Sequence, residues 1–366
     1  MRGGTGMSKV RVGIVYGGRS VEHEVSISSA TSILQALDPS RYDVSLIAIS
    51  HDGRWHIGGP KMLPAAVVNA PEVTLPAIPG ERTLVSADDG KAAAQLDVIV
   101  PIVHGTGGED GCLQGFLELA GVPYVGSGVL GSAIQMDKDV SKRLLRGAGV
   151  PVVPWVTVRK HELAAEKAVV ERVLREIGLP CFVKPANTGS SVGISKVKTR
   201  AELAPALREA ARYDEKLLVE QAVDAREIEI AVLGNERPEA SVPGEIVPHK
   251  EWYDYEAKYV DERTELIVPA SVPEAVSAEL QRLAVLAFTT LEGAGLARVD
   301  FFVERGTDRI WLNELNSLPG FTEVSMYPRL WQASGLPYPA LLDRLIELAL
   351  ERGRNRERLE REYKRG

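Results

Sequence analysis

The stretch ARVDFFVERGTDRIWLNELN, residues 297–316, decides how the chain is read. Two runs of alternating apolar and polar residues flank Gly306-Thr307-Asp308, a composition suited to a β-hairpin turn. If those three residues form the loop, Arg305 faces Arg309 and Asp300 lies directly across from Glu314. Side chains two apart share a sheet face, so Arg298, Asp300, Glu314 and Asn316 point one way and Val299, Phe301 and Val303 the other. Like charges opposed in a sheet cost a few tenths to about 1 kcal/mol, so Asp300 and Glu314 call for a cation between them. Two carboxylates and an amide oxygen are hard ligands, suited to Mg²⁺ that completes its shell with phosphate oxygens and water. A two-residue loop would break the alignment, and a solvated polar hairpin face is the plain alternative.

Such a metal asks for a phosphate, and KPANTGSSVGISK, residues 184–196, offers a grip for one. Lys184 ends a strand, Pro185 breaks the ladder, and Gly189, Ser190, Ser191 and Gly193 form a tip whose N–H groups can converge on an anion. The G-K-[S/T] of a Walker A loop is absent, and taken alone the stretch is equally well a plain hairpin. GGRSVEHEVS (17–26) and HGTGGEDGCLQG (104–115) each open a helix with glycines and acids. Free N–H groups and the dipole there favour an anion such as a substrate carboxylate, although capping explains the acids as well. His104 alone reads as a structural histidine, and its place just before that turn makes it a site candidate. GSGVLG, Gly126 to Gly131, fits G-x-G-x-x-G but lacks the acidic residue expected about twenty positions on, so it is read as a domain-crossing turn.

Composition sets the frame. At 45% hydrophobic and 25% charged residues, the 366-residue chain is globular, which excludes disordered and fibrous classes. Its length implies roughly two or three domains. A net charge of -7 argues against a general nucleic-acid binder, while leaving room for a local basic pocket. Cys112 and Cys181 are the only cysteines, too few for a disulfide framework or a zinc site, and they point to a reduced cytoplasm. No apolar run reaches membrane-spanning length, MRGGTGMSKV lacks the apolar core of a signal peptide, and Met7 is an alternative start.

VRVGIVYGG, a helix over 27–37 and YDVSLIAIS make a βαβ opening, continued by LDVIVPIVHG, GCLQGFLELAG and VPYVG to about residue 126. Residues 58–94 carry only weak periodicity. A charged helix near 137–146, PVVPWVTV, a helix to about 177, LPCFVKP, VGISKV and LLVEQAV form a smaller α+β unit ending near 224. EIEIAVLG, a helix near 273–292, the hairpin and a last helix form the third block, and the charged end, 351–366, reads as a solvated, fraying helix terminus.

In order along the chain, YGGRSVEHEVS (16–26), HGTGGEDG (104–111), KPANTGSSVGISK (184–196), YDYEAKY (253–259), RVD (298–300) and ELNSLPG (314–320) resemble the D-alanine-D-alanine ligases of the ATP-grasp superfamily. The resemblance runs from about residue 9 to residue 348. It implies an α/β and α+β chain of three domains in the ATP-grasp architecture. These are an N-terminal Rossmann-like domain on the first-substrate side (1–126), a central subdomain with the glycine/serine-rich phosphate loop (127–224), and a C-terminal subdomain with the metal-binding hairpin and substrate loop (225–366). ATP then lies between the last two, with two Mg²⁺ ions, or Mn²⁺, bridging its phosphates to Asp300, Glu314 and Asn316.

By the same resemblance Lys138 and Lys184 bind phosphate, Ser191 belongs to the phosphate loop, and Glu220, the Val223 backbone and Glu227 contact adenine and ribose. Glu22 takes the ammonium of the first D-alanine, with His104 nearby, and Ser190 and Tyr259 carry a hydrogen-bonded chain from Glu22 across the second-substrate pocket. Lys258 neutralises phosphate or carboxylate charge. Arg298 and the Gly320 N–H resemble an oxyanion hole, Ser325 and the Met326 backbone receive the second carboxylate, and Met326 lines that pocket. The implied reaction passes through a D-alanyl phosphate, which loops 187–193 and 250–260 shield from water. A cytoplasmic homodimer in peptidoglycan precursor synthesis, with no nucleic-acid or membrane partner, is implied likewise. D-Serine or D-lactate as second substrate is the nearest alternative. A different carboxylate-amine ligase and a non-catalytic nucleotide-binding regulator are the rivals from other classes.

Overall fold

The computed structural model describes residues 8–59, 63, 70–190, 192–247 and 264–360. Ser191, Lys258 and Tyr259, and with them the loop 250–260, lie outside the described residues.

Strands Val10–Gly17 (β1), Tyr42–Ile49 (β2), Trp55–Gly58 (β3), Val73–Thr74 (β4), Thr83–Ser86 (β5), Ala92–Gln95 (β6) and Val98–Pro101 (β7) build the first part of the chain. They form a sheet of order β3-β2-β1-β7 and a small sheet β4-β5-β6. β1 pairs in parallel with β2 and β7 and is buried along most of its length, which is why it reads as an unbroken apolar run. Helix His23–Ala36 (α1) makes the crossover from β1 to β2 and starts four residues before the expected position, so of the EHEVS acids Glu22 is its N-cap and Glu24 sits in its first turn. VPYVG forms only an isolated parallel bridge between Ile99 and Tyr124, short of the expected strand. Helices Cys112–Ala120 (α2), Val129–Met136 (α3) and Lys138–Gly147 (α4) follow.

Strands Trp155–Arg159 (β8), Cys181–Pro185 (β9), Ser195–Val197 (β10) and Lys216–Gln221 (β11) form an antiparallel sheet of order β10-β9-β11-β8. Helices Glu166–Glu176 (α5) and Arg200–Ala210 (α6) share its apolar core. The last sheet contains Ala225–Gly234 (β12), Glu239–Ala240 (β13), Gly244–Val247 (β14), Glu265–Ile267 (β15), Gly295–Glu304 (β16) and Ile310–Asn316 (β17), in the order β15-β14-β12-β16-β17 with β13 on β12. Helix Glu274–Thr290 (α7) packs on this sheet, and Met326–Ala333 (α8) and Tyr338–Glu357 (α9) close the chain. Among the described residues no helix is long and apolar enough to cross a membrane.

Packing crosses the sequence divisions. Leu145, Val150 and Val152, from α4 and the segment after it, are buried with Ile228, Val299 and Leu312 of the last sheet, although the sequence places them in the central unit. α9 returns to the first sheet, burying Leu341 and Leu345 with Val12 and Ile14. GSGVLG serves this packing: a Cβ on Gly131 would stand 2.3 Å from the Glu292 carbonyl oxygen, so only glycine lets α3 approach the end of α7.

The hairpin reaches its expected register by a different route. Asp300 pairs with Glu314 and Arg298 with Asn316, but Phe301 pairs with Leu312, which leaves Asn313 as an extra residue in β17. Glu304 N–H donates to Arg309 C=O at 2.9 Å, so the loop is Arg305 to Asp308, four residues where three were expected. Arg305 does not face Arg309, because its N–H is bonded to Asp224 C=O on the other side of β16. The bulge at Asn313 offsets the longer loop and restores the opposition of the two acids. Val299, Phe301 and Val303 face the core as expected.

Candidate active site

Three carboxylates stand in one row across the last sheet, since Glu229 of β12 is opposite Asp300 of β16 and Asp300 is opposite Glu314 of β17. Glu229 was absent from the sequence reading, because only the long-range pairing of β12 with β16 brings it there. Arg298 donates to both Asp300 oxygens at 2.7 and 2.8 Å and lies 3.0 Å from Glu229. The Lys138 ammonium stands 3.6 Å from Glu314. Asn316 Nδ2 donates to Asp300 at 2.8 Å, and turning that amide over would present its oxygen to the same spot.

This row lines a cleft of about 760 Å³ between the central and last sheets, walled also by Lys184, Glu220, Val223 and Glu227. Among the described residues its lining carries seven carboxylates against five basic side chains. Divalent cations would offset the repulsion between a polyphosphate and an acidic cleft of that balance, and Asp300, Glu314 and Asn316 carry the hard oxygen donors such cations take. The residues present therefore fit the expected Mg²⁺ or Mn²⁺. The bulge aims a further polar group the same way: Asn313 Oδ1 accepts from the Lys184 ammonium at 3.3 Å.

Lys184 sits at the end of β9 and pairs with Glu220 at 2.7 Å, while Lys138, at the start of α4, donates to the Thr188 carbonyl at 2.8 Å. Burial works against the Lys184 charge, yet Glu220 and Glu314 outweigh it and raise its pKa above the ordinary lysine value. Lys184 thus stays cationic beside the glycine-rich tip.

At the other end of the tip Ser190 donates to Glu22, linking the β9-β10 loop to the N-cap of α1. Ser190 has φ of 48°, a left-handed conformation that costs a non-glycine residue energy and here turns its hydroxyl toward the carboxylate. Gly189 is needed beside it, since a Cβ there would lie 2.8 Å from Glu22 Oε2. His104 is buried near Glu22 with both ring nitrogens engaged: Nδ1 donates to the Leu318 carbonyl at 3.0 Å, and Nε2 meets the Ser29 hydroxyl at 3.3 Å. Burial holds its pKa below the usual histidine value, so a neutral imidazole ties β7 to the loop after β17.

Glu109 is a second acid of this corner that the sequence reading passed over within HGTGGEDG. Its oxygens accept from the Gly105 and Leu318 N–H groups at 2.6 and 3.2 Å, yet burial and the nearby Glu22 charge push its pKa up to about 8. The folded protein therefore keeps this proton longer than the unfolded chain, and the wild type loses stability as pH rises from the ordinary carboxyl range through about 8. Glu109→Gln carries a fixed penalty from an amide facing backbone N–H groups, so the slope with pH carries the test. The melting temperature of Glu109→Gln is expected to gain on the wild type by a few degrees between pH 5 and pH 8 and to run parallel above that, as thermal denaturation in matched buffers reads. A difference constant from pH 5 to pH 9 contradicts it.

The loop from Ser317 to Ser325 leads from β17 to α8. Its Phe321 N–H donates to Ser29 at 3.3 Å and its Phe321 carbonyl accepts from the Tyr338 hydroxyl at 2.6 Å, which fixes Gly320 between them and the Leu318 contacts of His104 and Glu109. Ser325 stands at the N-cap of α8, but its hydroxyl accepts from Thr322 N–H at 3.1 Å and caps no helical N–H. The Met326 side chain is buried in the core cluster that holds Leu330, with its sulfur beside Gly244, at the start of α8. Glu22, His104, Ser190, Lys138, Gly320 and the hairpin acids are thus drawn together from three sheets.

The family described as D-ala D-ala ligase N-terminus matches residues 11–127, and that described as D-ala D-ala ligase C-terminus matches residues 144–347. The D-alanine--D-alanine ligase A of Chromobacterium violaceum is 51% identical, with 97% of this chain and 99% of that protein covered. The D-alanine--D-alanine ligase of Shouchella clausii is 49% identical, with 94% and 96% covered. Among solved structures, the D-alanine-D-alanine ligase from Coxiella burnetii superposes with a TM-score of 0.85 at 41% identity, covering 95% of this chain and 96% of its own. The VanG D-Ala:D-Ser ligase from Enterococcus faecalis gives the same TM-score at 31% identity, covering 93% and 100%.

Proposed function

Since the chain belongs to the D-alanine-D-alanine ligase family, has the ATP-grasp fold with an N-terminal α/β domain, and joins two D-alanine molecules using ATP for peptidoglycan synthesis, we propose that the cleft between its central and last sheets holds the nucleotide and the hairpin acids hold its metal. The observation that carries this reading is the opposition of Asp300 and Glu314 in a cleft that also contains Lys184. Two Mg²⁺ ions, or Mn²⁺, would be held by Asp300, Glu314 and Asn316 and would offset phosphate charge. Lys138 and Lys184 bind the phosphates beside the glycine-rich tip, including Ser191. Glu220, the Val223 backbone and Glu227 receive adenine and ribose.

The first D-alanine lies between Glu22, which takes its ammonium over the buried His104, and the phosphate end of the cleft. Its carboxylate attacks the γ-phosphate to give D-alanyl phosphate, and the second D-alanine's amine then attacks the acyl carbon and expels phosphate. Arg298 and the Gly320 N–H donate to the tetrahedral oxyanion, where each preorganised donor supplies about 3 to 4 kcal/mol. Ser325, whose hydroxyl is not used to cap α8, and the Met326 N–H receive the second carboxylate. Ser190, donating to Glu22, joins Tyr259 across the second pocket, with Lys258 adding positive charge. Closure of loops 187–193 and 250–260 excludes water from the acyl phosphate.

In this reading the chain works as three units, 1–126, 127–224 and 225–366, with α3 and α4 packed on the third, and it acts as a cytoplasmic homodimer without nucleic-acid or membrane partners. D-Alanine is the preferred second substrate over D-serine and D-lactate. Phosphate release with D-alanine alone, and with D-serine or D-lactate added in competition, tests this, with products identified by mass. D-Alanyl-D-alanine is the expected main product at equal concentrations, and a dominant mixed dipeptide or ester would overturn the preference.

A further inference from the structure

One helical turn after Lys138, Lys142 lies on α4 with its side chain 1% exposed, outside the cleft lining. Its ammonium is 3.2 Å from one oxygen of Glu220, and the Lys184 ammonium is 2.7 Å from the other. Glu220 is itself 2% exposed, yet it lines the cleft, as does Lys184. A buried carboxylate is thus shared between a cation in the cleft and a cation behind it. Burial alone would raise the Glu220 pKa, but the two ammonium groups outweigh it and keep it below the ordinary value. Burial lowers the Lys142 pKa, an effect that Lys184 reinforces and Glu220 and Glu314 oppose.

The two cations differ in what a nucleotide does to them. Lys184 also meets Asn313 and feels Glu314, so it borders the phosphate end and is free to exchange a carboxylate for a phosphate. Once it does, Glu220 keeps only Lys142. Without that partner the carboxylate would be a buried unpaired charge, which is among the costlier states in a protein interior. It would then hold Lys184 back from phosphate, or take up a proton and become a donor.

We propose that Lys142 is a positioning residue for nucleotide choice: from behind Glu220 it keeps that carboxylate ionised and aimed into the cleft while Lys184 serves the phosphates. This rests on Glu220 being the base contact. An ionised carboxylate only accepts hydrogen bonds, so it receives the 6-amino group of adenine and repels the 6-oxo group of guanine. Lys142 acts on the nucleotide through Glu220 and touches no substrate.

The test uses the full chain and the variants Lys142→Met, Glu220→Gln, the double variant and Lys184→Met. KM for ATP, GTP and D-alanine is read for each, with melting temperature as a folding check. Lys142→Met is expected to raise KM for ATP by up to about 100-fold, as loss of one partner of a buried pair implies, to leave KM for D-alanine unchanged, and to narrow the preference for ATP over GTP. With Glu220 neutral the counter-charge has no purpose, so the double variant is expected to match Glu220→Gln. That comparison also serves if Lys142→Met alone does not fold, because the double variant leaves no unpaired carboxylate. Effects of the two substitutions that multiply, or an unchanged KM for ATP in Lys142→Met beside a raised one in Lys184→Met, overturn the role of Lys142 alone. An unchanged KM for ATP in Lys184→Met and Glu220→Gln overturns the underlying placement of the nucleotide as well.

Discussion

Glu314→Gln is expected to lower kcat on the order of 10³-fold, the scale of losing several kcal/mol of charge stabilisation on a transferring phosphoryl group, while the protein stays as stable as the wild type. The two halves of that expectation come from one geometry. Glu229, Asp300 and Glu314 stand side by side on adjacent strands, a row of like charges that a sheet tolerates only at a penalty. Removing the outermost charge relieves repulsion, which offsets the lost attraction to Lys138 and Lys184, so the melting temperature holds. Activity has no such compensation, because the amide that replaces the carboxylate is a poorer hard ligand. Raising the Mg²⁺ concentration should recover part of the lost rate. A variant that keeps its rate, or whose loss of rate follows a loss of folded protein, assigns Glu314 to structure instead.

Arg298→Lys is expected to lower kcat by about 10²-fold with little change in the melting temperature, and Arg298→Met to lose both activity and stability. Arg298 carries two loads at once. Its guanidinium grips both oxygens of Asp300 and reaches the buried Glu229, and its proposed catalytic duty is toward the oxyanion. Lysine keeps the charge between the two acids but loses the planar fork, so it separates the loads. Methionine takes the shared guanidinium away from Glu229 and Asp300, at about 3 to 5 kcal/mol for a buried pair broken on one side. Steady-state kinetics with a parallel melting curve checks both. Equal activity for the lysine variant and the wild type would remove Arg298 from the chemistry and leave it as a counter-ion.

The features that were legible in the sequence are those whose cause is local. Alternation alone sends Val299, Phe301 and Val303 to the core and Asp300 and Arg298 to the cleft, because a strand has period two whatever it pairs with. Lys184 at a strand end and the glycines after it were legible for the same reason. The loop length was not, since it depends on Arg305 choosing Asp224 over Arg309, a bond to a strand far away in the chain. Nor was the bulge at Asn313, which follows from Leu312 N–H bonding to the Pro151 carbonyl across the outer edge of β17. Two differences from the expected hairpin offset one another, and the expected pair of acids survived them.

The missed residues share a cause. Glu229 enters the site through the pairing of β12 with β16, and Lys142 becomes a buried partner only because Glu220 arrives from β11. Lys142 had a visible signal nonetheless, its spacing of four from Lys138 on a charged helix, which puts both ammonium groups on one face. Glu109 stood inside a quoted motif, but its displaced titration comes from burial and from the Glu22 charge, neither of which any spacing within that motif reveals.

The most direct test of the metal-binding role of the hairpin is a crystal structure with a non-hydrolysable ATP analogue and Mn²⁺, with data collected to record the anomalous signal of manganese. The account predicts a peak in contact with carboxylate oxygens of both Asp300 and Glu314 and with the phosphates of the analogue. Nucleotide in the cleft with manganese elsewhere, or with the two acids in contact only with Arg298 and Lys138, would contradict it.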